Sequence, residues 1–157
     1  PANVAMYDNV ATGPQTKAWG IFRVPTVEAC MFLIMSDIRK LFPKLRWGFI
    51  ESAAQWVPWV HNESVRRMET LGITPPDNVF EAANIYITCQ SDDDLPWVLK
   101  YAGENSLMIG TDYGHSDPSS DIDSINFIRE ADDLAAATKE RILYRNPAAL
   151  YGLSQGA

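Results

Sequence analysis

The chain is expected to fold as an α/β protein. Three short β-rich runs, Leu45 to Glu51, Asn84 to Cys89 and Leu107 to Asp112, each lead into polar or acidic residues and then a helical or loop segment. Repeated strand-then-helix order is the pattern of a parallel sheet covered by helices. Two of the runs end on a carboxylate, Glu51 and Asp112, and in a (β/α)8 barrel the catalytic side chains project from the C-terminal ends of strands. A closed barrel takes about 250 residues, so these 157 residues fall short of one, and the chain reads as the back part of an enzyme.

Each element has a local cause. Pro1 to Lys17 is polar and broken by Gly and Pro without a helix or strand period, which predicts a loop, and the irregular lead-in is taken to about residue 25. Thr26 to Phe42 is apolar on nearly every side and stops at Pro43, which predicts one helix buried on most faces. After the first strand, Ser52 to Val57 is a loop. A helix follows from Pro58, because proline suits a first turn, and it ends at Gly72. Val57, Val60, His61, Val65, Met68 and Leu71 form its periodic face. Ile73 to Asp77 is a connector with two prolines. Asp92, Asp93 and Asp94 place negative charge where a helix N-terminus favours it and read as a solvated cap for a helix from Pro96 to Gly103. The third run is short and apolar, as a strand buried on both faces should be. Tyr113 to Asp123, rich in Asp, Ser, Gly and Pro, predicts a functional loop. Two closing helices are expected at Asp133 to Leu143 and Pro147 to Tyr151, the second capped by Asn146.

Composition narrows the partners. A formal net charge of -7 and a pI near 4.7 argue against nucleic acid, whose phosphates need clustered Lys and Arg. The nearest approach to a cluster, Arg39, Lys40, Lys44 and Arg46, is too small. No segment approaches the ~20 apolar residues of a membrane span. Cys30 and Cys89 form neither a C-x-x-C pair nor a disulfide framework, so a reduced, cytoplasmic setting is expected and both thiols read as structural.

Several motifs resemble a known family. They are Phe42-Pro43-Lys44-Leu45-Arg46-Trp47-Gly48-Phe49-Ile50-Glu51, then Trp56-Val57-Pro58, Ile109-Gly110-Thr111-Asp112-Tyr113-Gly114-His115, and the closing stretch with Asn146-Pro147 and Tyr151-Gly152-Leu153. Together they resemble the amidohydrolase-related family of metal-dependent hydrolases and decarboxylases, in the branch that includes aminocarboxymuconate-semialdehyde decarboxylase. The resemblance implies a partial (β/α)8 TIM-type barrel in which the three runs are strands six, seven and eight, with residues 1–157 the C-terminal portion of one domain. It further implies that Asp112 is the strand-eight aspartate that ligates a divalent metal, zinc or manganese, and helps handle the proton of the water that metal activates. Glu51 falls where many members carry a strand-six histidine, a departure that bears on decarboxylase-type proton transfer. His115 matches the histidine that often closes an Asp-Tyr-Pro-His motif, with Gly114 in place of the proline. The family's His-x-His and its strand-five histidine would lie upstream of Pro1.

The residues themselves leave alternatives open. Asp112 is a metal ligand or a capping aspartate; Glu51 is a strand-tip acid/base or a carboxylate paired with an arginine such as Arg46. His115 is a substrate contact or an exposed loop residue. Trp56, with Trp59, floors an aromatic substrate pocket or simply packs. A catalytic zinc takes three protein ligands, and this chain has two histidines, of which His61 sits on a helix away from the strand tips. The fragment is therefore expected to be inactive by itself, and its open strand edges to associate with copies of itself or with the missing N-terminal half. A small-molecule carbonyl or carboxylate compound is the expected substrate. The rival reading is a non-catalytic α/β module that binds a ligand or partner through the Tyr113 to Asp123 loop.

Overall fold

The computed structural model describes residues 14–115 and 120–153, with side chains from residue 23 onward. The elements in order are α1 (Pro14–Met35), α2 (Ile38–Leu41), β1 (Trp47–Phe49), α3 (Val57–Thr70), α4 (Val79–Ala82), β2 (Ile85–Cys89), α5 (Leu95–Ala102), β3 (Leu107–Ile109), α6 (Ser124–Glu130), α7 (Ala136–Glu140), a π-helical turn (Arg141–Arg145) and α8 (Asn146–Tyr151). The three strands form one parallel sheet in the order β1-β2-β3. Trp47 pairs with Ile85 and Phe49 with Ile87 on one side of β2, while Ile87 pairs with Leu107 and Cys89 with Ile109 on the other.

The central strand explains the core. Ile85, Ile87 and Cys89 are all buried, and they meet Val57 and Val60 of α3, Phe80 of α4, Val98 of α5, Leu107 of β3, Ile128 of α6 and Ile142 of the π turn in one apolar cluster. Burying an aliphatic or aromatic side chain of this size stabilises by ~1.5–3 kcal/mol, so these buried residues together hold the helices on the sheet. Each parallel strand needs a crossover, and α3 with α4, then α5, supply the two present here.

Turn chemistry sets the helix ends. Gly72, at φ +71°, ends α3: its N–H donates to Glu69 O at 3.0 Å and that of Ile73 to Met68 O at 2.9 Å, the paired bonds of a Schellman motif. At the end of α8, Gly152 and Leu153 donate in the same way to Ala149 O and Ala148 O. Asn78 caps α4, its side chain accepting from the N–H groups of Phe80 and Glu81.

Four expectations are corrected. The lead-in expected to be irregular to residue 25 is helical from Pro14; only residues 1–13 of it lie outside the described part. Pro14 occupies a first turn, where its missing N–H is no loss, and the helix continues past Pro25 because its second half is anchored, with Cys30 and Ile34 buried and the Ser64 hydroxyl donating to Met31 Sδ at 3.3 Å. The helix expected over Thr26 to Phe42 breaks at Ser36 and Asp37, where the Ser36 hydroxyl donates to Leu33 O and accepts from the Ile38 N–H. Its burial is one-sided, since Phe32 and Leu41 are exposed. Asn146 is no cap. It lies within one continuous helical run from Ala136 to Tyr151, and its buried amide donates to Glu104 O at 2.8 Å and Leu107 O at 2.7 Å, tying that run to the start of β3. Lastly, α6 begins directly after the Tyr113 to Asp123 loop, where no helix is expected from the sequence, and the middle of that loop, 116–119, lies outside the described residues.

Candidate active site

The strands end early, and the turns after them build the site. β1 stops at Phe49 and β3 at Ile109, and the chain then bends so that Glu51 and Asp112 adopt left-handed backbone conformations, φ +61° and +48°. For residues with a Cβ this costs roughly 1–2 kcal/mol each, so neighbouring groups must hold them. The Glu51 N–H donates to Thr88 Oγ1 at 2.8 Å, and Arg23 Nη1 donates to Glu51 O at 3.0 Å. On the other arm, Ser120 Oγ donates to Asp112 O at 3.1 Å and the Asp121 N–H to Thr111 O at 3.0 Å.

These turns bring together three of the four residues singled out from the sequence. His115 Nδ1 lies 2.9 Å from Asp112 Oδ1 and 3.2 Å from Glu51 Oε1. The Asp112 side chain is 15% exposed, that of Glu51 39% and that of His115 60%. The hydrogen bond to Glu51, then the negative charge of Asp112, raise the His115 pKa above the ordinary imidazole value. A proton carried on Nδ1 has both carboxylates within hydrogen-bond reach. Beneath them is a narrow cleft of about 60 Å3 walled by Thr88, Cys89, Gln90 and Gly110 as well as the two acids.

The same three groups are suited to a cation. One ligand atom from each lies within 4.8 Å of the others, and ligands about 2.1 Å from a tetrahedral ion stand ~3.4 Å apart. Two carboxylates and an imidazole are donors that zinc and manganese both accept. Glu51 is not paired with Arg46, whose guanidinium instead donates to Ala149 O at 2.8 Å beside Gly152.

Trp56 stands apart from this cluster. Its indole Nε1 donates to Ser52 O at 3.1 Å and Ala53 O at 2.9 Å, and its ring meets Phe49 edge-on at 5.9 Å. With Trp59, Arg23 and Met31 it walls a larger cavity of about 710 Å3 between α1 and α3, and Gln90 lines both this cavity and the small cleft. His61 is packed between rings, 5.4 Å from Tyr101 and 6.4 Å from Phe80. Burial drives the Cys89 thiol up to about 12, and its Sγ donates to Met108 O at 3.0 Å; Cys30 is raised for the same reason.

The acidic run corrects a further expectation. Asp94 does cap α5, accepting from the Trp97 N–H at 3.1 Å, but Asp93 is 6% exposed rather than solvated. Its Oδ2 accepts from the N–H groups of Ala54, at 2.9 Å, and Gln90, at 2.8 Å, joining the segment after β1 to the segment after β2. Burial, partly offset by those two bonds, raises its pKa. Thr88, Arg23 and Asp93 carry no sequence signal of these roles; a threonine inside an apolar β-run was the nearest clue.

Among known proteins, no curated one matches the chain. It resembles the crystal structure of an amidohydrolase from Mycobacterium avium subsp. paratuberculosis K-10 with a TM-score of 0.73 at 19% sequence identity, over 95% of this chain and 38% of that one. The chain thus spans well under half the length of that structure, and the likeness bears on the fold. A family model described as amidohydrolase matches residues 9–153, nearly the whole sequence. This chain belongs to the amidohydrolase family.

Proposed function

We propose that the chain supplies one side of a divalent-cation site in a hydrolase that acts on a small carbonyl or carboxylate compound, with Asp112 as a ligand and Glu51 and His115 completing its near wall. The observation that carries this reading is the convergence of three donor groups within 4.8 Å at the tips of two parallel strands, where α/β enzymes place their chemistry. The polypeptide is read as strands six to eight of a (β/α)8 barrel, with further ligands and most of the substrate pocket contributed from outside this sequence. Association with that remaining part, or with a second copy, completes the open sheet.

A bound zinc or manganese ion supplies Lewis acidity toward a carbonyl or a water molecule. The chain's own contribution is to hold and move a proton. His115 Nδ1 stands within hydrogen-bond reach of both Asp112 and Glu51; with the ion held by the carboxylates and not by the imidazole, Nδ1 can accept the proton that one carboxylate removes from a nucleophile and pass it to the other. Hydrolysis is the reaction class preferred here, because the family model that matches nearly the whole chain is that of an amidohydrolase and Glu51 departs from the strand-six histidine of many members, on which decarboxylase-type proton transfer would draw. A cytoplasmic setting fits the two buried, free cysteines. Among the described residues no helix is long and apolar enough to cross a membrane.

The test is a calorimetric titration of this chain with Zn2+ and Mn2+, in native form and as Asp112→Asn. Binding in the native chain that weakens at least tenfold in the variant is expected. Equal binding by both would sink the assignment of Asp112. Metal-dependent hydrolysis of an amide and ester panel by a longer protein that includes this segment tests the reaction class.

A further inference from the structure

We propose that Thr88 is the positioning residue that holds the Glu51 carboxylate against Asp112 and His115, an inference that builds on the cation-site reading. Glu51 lies past the end of β1, two residues beyond its last sheet partner, in a backbone conformation that side-chain-bearing residues avoid. Free of restraint, it would relax to an extended conformation and swing its carboxylate away. What prevents this comes from the neighbouring strand. Thr88 Oγ1 accepts the Glu51 N–H at 2.8 Å and lies 3.3 Å from Phe49 O, where its own proton is donated. One hydroxyl thus bridges the last residue of β1 and the strained residue after it.

Two features make this hydroxyl a fixed anchor. Thr88 is 6% exposed, so its hydroxyl is largely shielded from water. Its methyl faces the other arm of the site, since a Cβ placed on Gly110 would stand 3.7 Å from Thr88 Cγ2, and Gly110 is two residues before Asp112. A threonine touches both arms at once: the hydroxyl grips the Glu51 arm and the methyl spaces it from the Asp112 arm. Arg23 closes the grip from α1 by donating to Glu51 O at 3.0 Å. A valine at position 88 would keep the shape and lose both hydrogen bonds. A serine would keep the hydroxyl and lose only the methyl.

The experiment uses the chain in native form and as Thr88→Val and Thr88→Ser, read in two ways. Hydrogen exchange of the Glu51 amide, followed by NMR without metal, reports the grip itself; Mn2+ affinity, from the electron paramagnetic resonance of free Mn2+, reports its consequence. Exchange at Glu51 is expected to speed at least tenfold in Thr88→Val while amides inside β2 stay protected, Mn2+ affinity is expected to fall at least tenfold, and Thr88→Ser should restore both to within about threefold of native. If Thr88→Val does not fold, Thr88→Ala also lacks the hydroxyl and adds no bulk. Unchanged exchange at Glu51, or a lowered melting temperature with native Mn2+ affinity, overturns the proposal and leaves Thr88 a plain sheet residue. A native chain that binds no Mn2+, yet shows the expected exchange pattern, overturns the cation reading and supports the grip on Glu51.

Discussion

Replacing Asp93 with alanine should destabilise the chain well beyond what removing a surface acid would. The carboxylate accepts two backbone N–H groups, from fully buried Ala54 and half-buried Gln90. A buried donor left without a partner costs about 1–3 kcal/mol, and the Gln90 N–H, nearer solvent, costs less. Against this, the variant no longer buries a negative charge, so a net loss of ~2–4 kcal/mol is expected. For a domain of this size each 1 kcal/mol moves the melting temperature by about 2–4 °C, which predicts a fall of roughly 5–15 °C by calorimetry at pH 7.

The pH dependence gives a sharper test. Because the folded-state pKa of Asp93 is raised, the protonation-linked part of its contribution is full below the ordinary aspartate value and is lost as pH rises through the folded value, while its two backbone hydrogen bonds persist. Asp93→Asn can still accept both N–H groups and carries no charge. The variant should therefore gain on the native chain as pH is raised from 4 to 7 in urea titrations. A difference between the two that stays flat over this range, together with an Asp93→Ala variant as stable as native, would refute the claim that this aspartate works as a buried tie.

The packing sets three further outcomes. Phe80 is fully buried against the sheet, and Phe80→Ala should cost ~3–5 kcal/mol, measurable as a lower urea midpoint. Asn146→Ala leaves Glu104 O and Leu107 O without their donor and should cost about 1–3 kcal/mol, again read by urea unfolding. With both thiols buried and raised in pKa, Cys30 and Cys89 should react with a thiol reagent at pH 8 only after denaturant is added; rapid labelling of the native chain would contradict the burial.

Local signals carried the sheet and most of the helices. The apolar runs around Trp47, Ile85 and Leu107 place all three strands, and Pro58, Gly72 and Gly103 mark helix ends because proline and glycine act through their own backbones. Where an outcome depended on distant residues, the sequence was silent or misleading. Nothing near Pro25 shows that Cys30 and Ile34 will be buried firmly enough to carry a helix through it, and Asn146 looks like a cap until Leu107 O comes within reach. The same holds at the site. Glu51 and Asp112 could be picked out from their places at strand ends, whereas the approach of His115 to both, and the holding of Glu51 by Thr88, depend on which strand lies between them.

That intervening strand has a geometric consequence for the acids themselves. Adjacent strands lie ~4.8 Å apart, so with β2 between β1 and β3 the two flanking backbones are separated by roughly 10 Å. A side chain leaving one must reach across the width of a full strand. Glutamate on the β1 side has one methylene more than aspartate, and the shortfall is made up from the far bank by His115, carried by the turn after Asp112. Shortening Glu51 to aspartate would preserve charge and chemistry yet leave the span unbridged.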